Sequence, residues 1–207
     1  MTTDWFRNST WDNSIEEAFE ERLRGSRRKE QYLRIQASTL ADSHPEMALK
    51  LLARYFELPD DFDHAQAHVD CAKALLALGL VEDAISSYEA ALAREAVFPK
   101  LRTQAFLDLP YLVATSAIHG RYDYALSLLD EHESRLMFPV DRFRWYASRA
   151  LILDSGQESE RAQLHARQAL EAVAEMRSGF KHHPSVGLVT EKYEAVTRRL
   201  EAIASGV

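Results

Sequence analysis

Three side chains able to ligate a soft metal, His64, His68 and Cys71, stand four and three residues apart. On a helix that spacing aims them from one face, and imidazole with thiolate is a donor set that zinc accepts. Cysteine is also among the most buried residue types, so the same stripe reads as core, and core is the expected reading. His182 and His183 are adjacent, point in different directions, and read as loop surface. Asp60, Asp61 and Asp63 lack the spacing and the twelfth-position Glu of a calcium loop; they suit a helix N-terminus instead. Phosphate-binding loops, nucleophile elbows and His-Glu-x-x-His signatures are all missing from the chain. The expectation is therefore a non-catalytic protein with no metal and no cofactor. A polar pocket around Arg142, Arg144 and Trp145 is where an enzyme alternative would have to lie.

These residues sit in a chain of 207 residues that is 46% hydrophobic and carries only 7 Gly and 6 Pro. That is about half the usual share of turn-forming residues, so helices rather than many short strands are expected. The net charge of −7 disfavours nucleic acid, which needs a basic stripe to displace counterions. The one basic cluster, Arg22, Arg24, Arg27, Arg28 and Lys29, is interleaved with Glu20, Glu21 and Glu30 and reads as a solvated helix face. Residues 1–13 show no secretory pattern, no apolar run is long enough for a membrane, and the single Cys forms no internal disulfide. A cytoplasmic protein is expected, with no membrane and no nucleic acid among its partners.

Apolar residues recur at helical spacing almost throughout. A capping box from Ser14 to Glu17 predicts a helix over 14–23, and further helices are predicted over 27–41 and from His44-Pro45 onward. Pro59 and its acids open another, which stops at Gly79. The later predicted spans are 82–94, 100–119, 122–136, 141–153, 158–177 and 187–204. Pro59, Pro99 and Pro139 are spaced 40 and 40 residues apart, with Gly79, Gly120 and Gly156 near the midpoints. A period in this range marks an array of stacked helical hairpins.

At this level of detail the chain resembles the tetratricopeptide repeat family. Residues 65–98 carry the resemblance best, through Ala72, the turn glycine Gly79, Ala84, Tyr88, Ala91 and Leu92. A unit at 106–139 keeps Gly120, Ala125 and Leu129 but has His132 and Glu133 where small and apolar residues are usual. Another at 143–176 keeps Tyr146, Ala150, Ala162, Ala169 and Leu170, with Arg149 at a normally apolar position. The first, 29–62, keeps Tyr32, Ala48, Leu52 and Phe56. All four place Ala where the two helices cross: Ala48, Ala84, Ala125 and Ala162. The resemblance implies an all-α right-handed solenoid of about four hairpins over 29–177. Residues 1–28 would then form an N-terminal segment and short helix, and 178–207 a loop and capping helix.

The resemblance also implies where a ligand would lie, along the first helix of each pair. By register that groove comprises Leu33, Ala37, Leu40, Gln66, Val69, Lys73, Leu76, Ala77, Ala114, Ala117, Arg144 and Leu151. Only Asn8 and Asn13 are asparagines, so the Asn-based carboxylate clamp of the family's peptide-binding members is excluded. The expected function is a protein–protein interaction module, an adaptor taking a protein or peptide partner such as an amphipathic helix. The alternative is a self-associating structural protein, such as a homodimer, with no dedicated ligand; in a tight superhelix the groove would instead simply be core. Trp5, Phe6 and Trp11 crowd aromatic surface into the first eleven residues, which predicts that this segment docks onto the rest.

Overall fold

A computed structural model describes residues 4–59, 62–177, 179–180 and 182–206. The protein is all-α: 71% of the described residues are helical and they form no strand. The α-helices are α1 (Asn13–Arg24), α2 (Lys29–Leu40), α3 (Pro45–Phe56), α4 (His64–Ala77), α5 (Val81–Val97), α6 (Ala105–Thr115), α7 (Tyr122–His132), α8 (Pro139–Ser155), α9 (Ser159–Val173) and α10 (Glu194–Ser205). The chain divides into two compact units, Met1–Ala105 and Phe106–Val207. Their boundary falls inside the stretch expected to form one array.

In the first unit, α2 packs on α3, α3 on α4 and α4 on α5. The core gathers Phe19 and Leu23 from α1, Leu33, Ala37 and Leu40 from α2, and Ala48, Leu51, Leu52 and Tyr55 from α3. Ala48 and Ala84, the predicted crossing residues, are both 0% exposed. No larger side chain fits such a contact without parting the helices. Helix starts depart from the sequence expectation in three places. Asp12, not Ser14, caps α1: its carboxylate accepts from the Ile15 amide and the Ser14 hydroxyl. The hydrogen bonds pull the Asp12 carboxyl below its ordinary range, Ser14's first and the Ile15 amide's second. Helix α4 starts at His64, five residues beyond Pro59. Asp60 and Asp61 lie outside the described residues. Helix α6 starts at Ala105 rather than Lys100, because Glu95 holds the turn before it. The buried Glu95 Oε1 accepts from the Thr103 amide at 2.7 Å and hydroxyl at 2.5 Å, and Thr103 Oγ1 in turn accepts from the Ala105 amide.

In the second unit, α8 packs on α9 and α10 covers both. Their shared core holds Phe143, Ala147, Ala150, Ala166, Ala169, Tyr193 and Leu200. Ala125 and Ala162 are again 0% exposed. Arg149, the residue that breaks the apolar pattern, lies 4.0 Å over the Trp145 ring and pairs with Asp130. Burial lowers its pKa. His132 meets the Phe106 ring edge-on at 5.7 Å, so it substitutes aromatic packing for the small residue usual there. Pro110 sits inside α6 without interrupting it. It costs the helix one internal hydrogen bond. The last helix begins at Glu194, seven residues after Gly187, which lies in a turn with φ +73°. A Cβ there would collide with the Phe138 ring, and the Gly187 carbonyl accepts from the Val140 amide at 2.8 Å.

One local motif recurs at the ends of α4, α6 and α8. After α4, the Leu80 amide reaches the Leu75 carbonyl and the Gly79 amide the Leu76 carbonyl. Ile118 and Ala117 do the same after α6, and Glu158 and Gln157 after α8. Each is a Schellman cap whose pivotal residue is left-handed. The pivots are Gly79 (φ 76°), Ala117 (φ 53°) and Gln157 (φ 60°), 38 and 40 residues apart. Gly120 and Gly156, expected as the turn glycines, are not the pivots: Gly120 lies in a 3-10 turn and Gly156 has φ −82°.

Candidate functional site

The predicted first-helix residues divide by burial. Leu33, Ala37 and Leu40 on α2, Val69 on α4, Ala114 on α6 and Leu151 on α8 are all buried. Side chains at that depth pack helices together; a partner meets them only at an edge. Gln66, Leu76 and Arg144 are half-buried, while Lys73, Ala77 and Ala117 are exposed. Accessible positions therefore concentrate on α4, where Gln66, Lys73 and Ala77 lie on one stripe with Leu76 at its side. Leu151 borders a cleft of about 440 Å³ together with Asp154, Gln163 and Arg199.

One ion pair joins α2 to α4, and another joins α6 to α8. In the first unit Asp70, fully buried on α4, accepts from Arg34 Nη1 at 3.2 Å, Ser38 Oγ at 3.1 Å and Gln66 Nε2 at 3.1 Å. Arg34 Nε also donates to Asp63 at 3.1 Å. The second unit pairs Arg144 of α8 with Asp108 of α6 at 2.5 Å, and the guanidinium lies 5.1 Å from the Tyr111 ring. Burial works against the Arg144 charge, but Asp108, Tyr193 and Tyr111 hold its pKa above the ordinary arginine value. Burial, with Tyr193 beside it, pushes the Tyr111 hydroxyl up to about 12.

The candidate chemical residues do not converge. His68 stacks on Phe56 at 4.7 Å, and His64 meets Tyr55 and Phe56 edge-on. Burial, then the charges of His64 and Arg94, lowers the His68 pKa. Burial, with Asp70 adding its negative charge, pushes the Cys71 thiol up to about 12, so it stays protonated and inert. Among the described residues no group of three His, Cys, Asp or Glu could hold a metal. Arg142 pairs with Glu175, Arg144 with Asp108, and Trp145 Nε1 donates to the Leu129 carbonyl. Those three neighbours thus serve three separate contacts. No helix among the described residues is long and apolar enough to cross a membrane.

Trp5, Phe6 and Trp11 pack against the first unit's core. Trp5 lies 4.8 Å from Tyr32 and 5.4 Å from Phe19, Phe6 lies 4.7 Å from Tyr32, and Trp11 lies 5.5 Å from Phe19. The decisive polar partner is Gln36, a residue the sequence reading passed over. Its Nε2 donates to the Asn8 carbonyl at 2.8 Å, and its Oε1 accepts from the Asn8 amide at 3.0 Å and from Asn8 Nδ2 at 2.9 Å. A signal was present: Gln36 shares the helical face of Leu33, Ala37 and Leu40, where a polar side chain must find an internal acceptor or donor. Asp70 carries the same signal between Ala67 and Ala74. No protein-family profile, curated protein or solved structure matches this chain.

Proposed function

We propose that this protein is a non-catalytic interaction module, a tetratricopeptide-like array of helical hairpins that binds a protein or peptide partner along its first helices. The observation that carries the reading is the exposed stripe on α4: Lys73 and Ala77, with Gln66 and Leu76 half-buried beside them, face outward on a helix whose opposite side is core. Rigid packing of α4 on α5 fixes that stripe in advance, which limits the ordering cost of binding.

Lys73→Glu and Leu76→Glu test it. Each variant should lose cross-linked partners captured from native extract while its melting temperature stays within a few degrees of the parent. Capture that survives both changes removes the α4 surface from the proposal. The homodimer alternative draws on exposed apolar side chains in the second unit, Met137, Phe180 and Val186, of which Phe180 stacks on Phe138. Light scattering that finds a strict monomer over a wide concentration range rules it out.

A further inference from the structure

The seat under residues 4–11 is built as a peptide-binding site is built. Its floor is aromatic, with Phe19 of α1 and Tyr32 of α2 receiving Trp5, Phe6 and Trp11. At its centre stands Gln36, 0% exposed, which both donates to and accepts from the backbone of one residue. That reciprocal pair copies a strand–strand contact and reads a main chain rather than a particular side chain. Ser43 Oγ adds a bond to the Ser9 carbonyl at 3.2 Å. A buried amide with no partner is costly, so the seat requires a peptide backbone over it.

The occupant is held lightly by comparison. Residues 4–11 form no helix or strand, and their one internal backbone bond runs from the Arg7 amide to the Asp4 carbonyl. Trp5, Phe6 and Trp11 remain half-buried, whereas Phe19, Leu33 and Leu40 beneath and beside them are within 3% of full burial. Asp4 and Arg7 are exposed, so the seat selects rings and a backbone, not charge.

We propose that the surface formed by Phe19, Tyr32 and Gln36 is a docking site for a partner segment that turns through two adjacent aromatic residues, and that residues 4–11 occupy it in cis. The partner's chemistry is read from the segment now seated there: two rings, then a residue two positions on that offers its amide and carbonyl to Gln36. This deepens the interaction-module reading and rests on it, but the site is separate from the α4 stripe.

The test uses the full chain and a labelled synthetic peptide of residues 4–11, followed by fluorescence anisotropy. A Trp5→Ala, Phe6→Ala double variant, which loosens the cis segment, should bind the peptide at least tenfold more tightly than the parent. A peptide N-methylated at its Asn8 position lacks the N–H that Gln36 accepts, and should lose that gain without altering the protein. In the parent, the Asn8 amide should exchange with solvent at least a hundredfold faster than that of Leu40. No peptide binding by a helical, cooperatively melting double variant overturns the proposal. So does equal binding of the methylated peptide, or exchange of Asn8 in step with Leu40. Concentration-dependent dimers of the parent that the double variant does not form would give the seat to a second copy and overturn the partner. Capture that survives the Lys73 and Leu76 changes while the peptide still binds the double variant would fail the α4 reading and leave this seat standing.

Discussion

Arg34–Asp70 in the first unit and Arg144–Asp108 in the second solve one problem with opposite charges buried. In both, the partners are 36 residues apart, and they join α2 to α4 and α6 to α8. In the first, the carboxylate is the deeper partner, with its side chain 0% exposed against 17% for Arg34. A carboxylate only accepts, so it collects donors: Arg34, Ser38 and Gln66. In the second, both side chains are nearly as deep, at 12% for Arg144 and 16% for Asp108. A guanidinium is weakly hydrated and stacks well, so the ring of Tyr111 completes its surroundings where further acceptors are not supplied. Burying an acid thus demands a hydrogen-bond network, while burying an arginine demands one acid and an aromatic face.

That contrast sets an order of effects. Arg34→Ala leaves Asp70 buried without its counter-charge and should cost about 3–5 kcal/mol in urea unfolding. Replacing both Arg34 and Asp70 by Leu should recover most of the loss, since a buried pair is often matched by apolar packing. Asp108→Asn should cost less, roughly 1–3 kcal/mol, because Arg144 keeps Tyr111 and a neutral acceptor. A larger loss for Asp108→Asn than for Arg34→Ala would reverse the comparison.

A second difference between the units lies in their caps, where Gly79 serves the first and Ala117 and Gln157 the second. Left-handed backbone costs a residue with a side chain about 1–2 kcal/mol, which Gly avoids at some entropic cost. Ala117→Gly and Gln157→Gly should each raise stability by about 0.5–1 kcal/mol, measured by thermal unfolding, and Gly79→Ala should lower it. The smallest effect is that of pH. His68 in the first unit and His165 in the second are both lowered, chiefly by burial, with Gln168 opposing the shift at His165. The unfolded chain therefore binds protons that the folded chain refuses. Stability is full above the unfolded histidine value near 6.5 and falls as pH drops below it. Melting temperatures at pH 7.5 and 5.5 should show that fall, and His68→Gln should flatten it more than changes to the exposed His182 or His183.

Some of this was legible in residue order. Helical periodicity is a local property, so the all-α class and most helix centres follow from it. Small residues at crossings are a volume requirement, and Ala48, Ala84, Ala125 and Ala162 all meet it at 0% exposure. Helix starts were less legible, because Thr103 and Glu95 settle the start of α6 through a contact eight residues apart. The turns misled for a related reason. Glycine marks where a left-handed residue is cheap, yet two of the three caps place that conformation on Ala117 and Gln157, where the cap's hydrogen bonds back to the preceding helix hold it.

The binding surface divides the same way. Register alone nominated twelve first-helix positions, but register is one-dimensional and burial is not. Neighbouring helices cover Leu33, Val69 and Leu151 while Lys73 and Ala77 stay in water. By itself, then, the sequence determined helices, their period, the small crossing residues and the absence of an asparagine clamp, all of which depend on neighbours within a few turns. Only the tertiary structure decided which groups share a buried site: Arg34 with Asp70, Arg144 with Asp108 and Tyr111, and Gln36 with the backbone of Asn8. Those partners lie 28 to 36 residues apart where hydrogen-bonded, and what unites them is the cost of an unmet polar group in a dry interior.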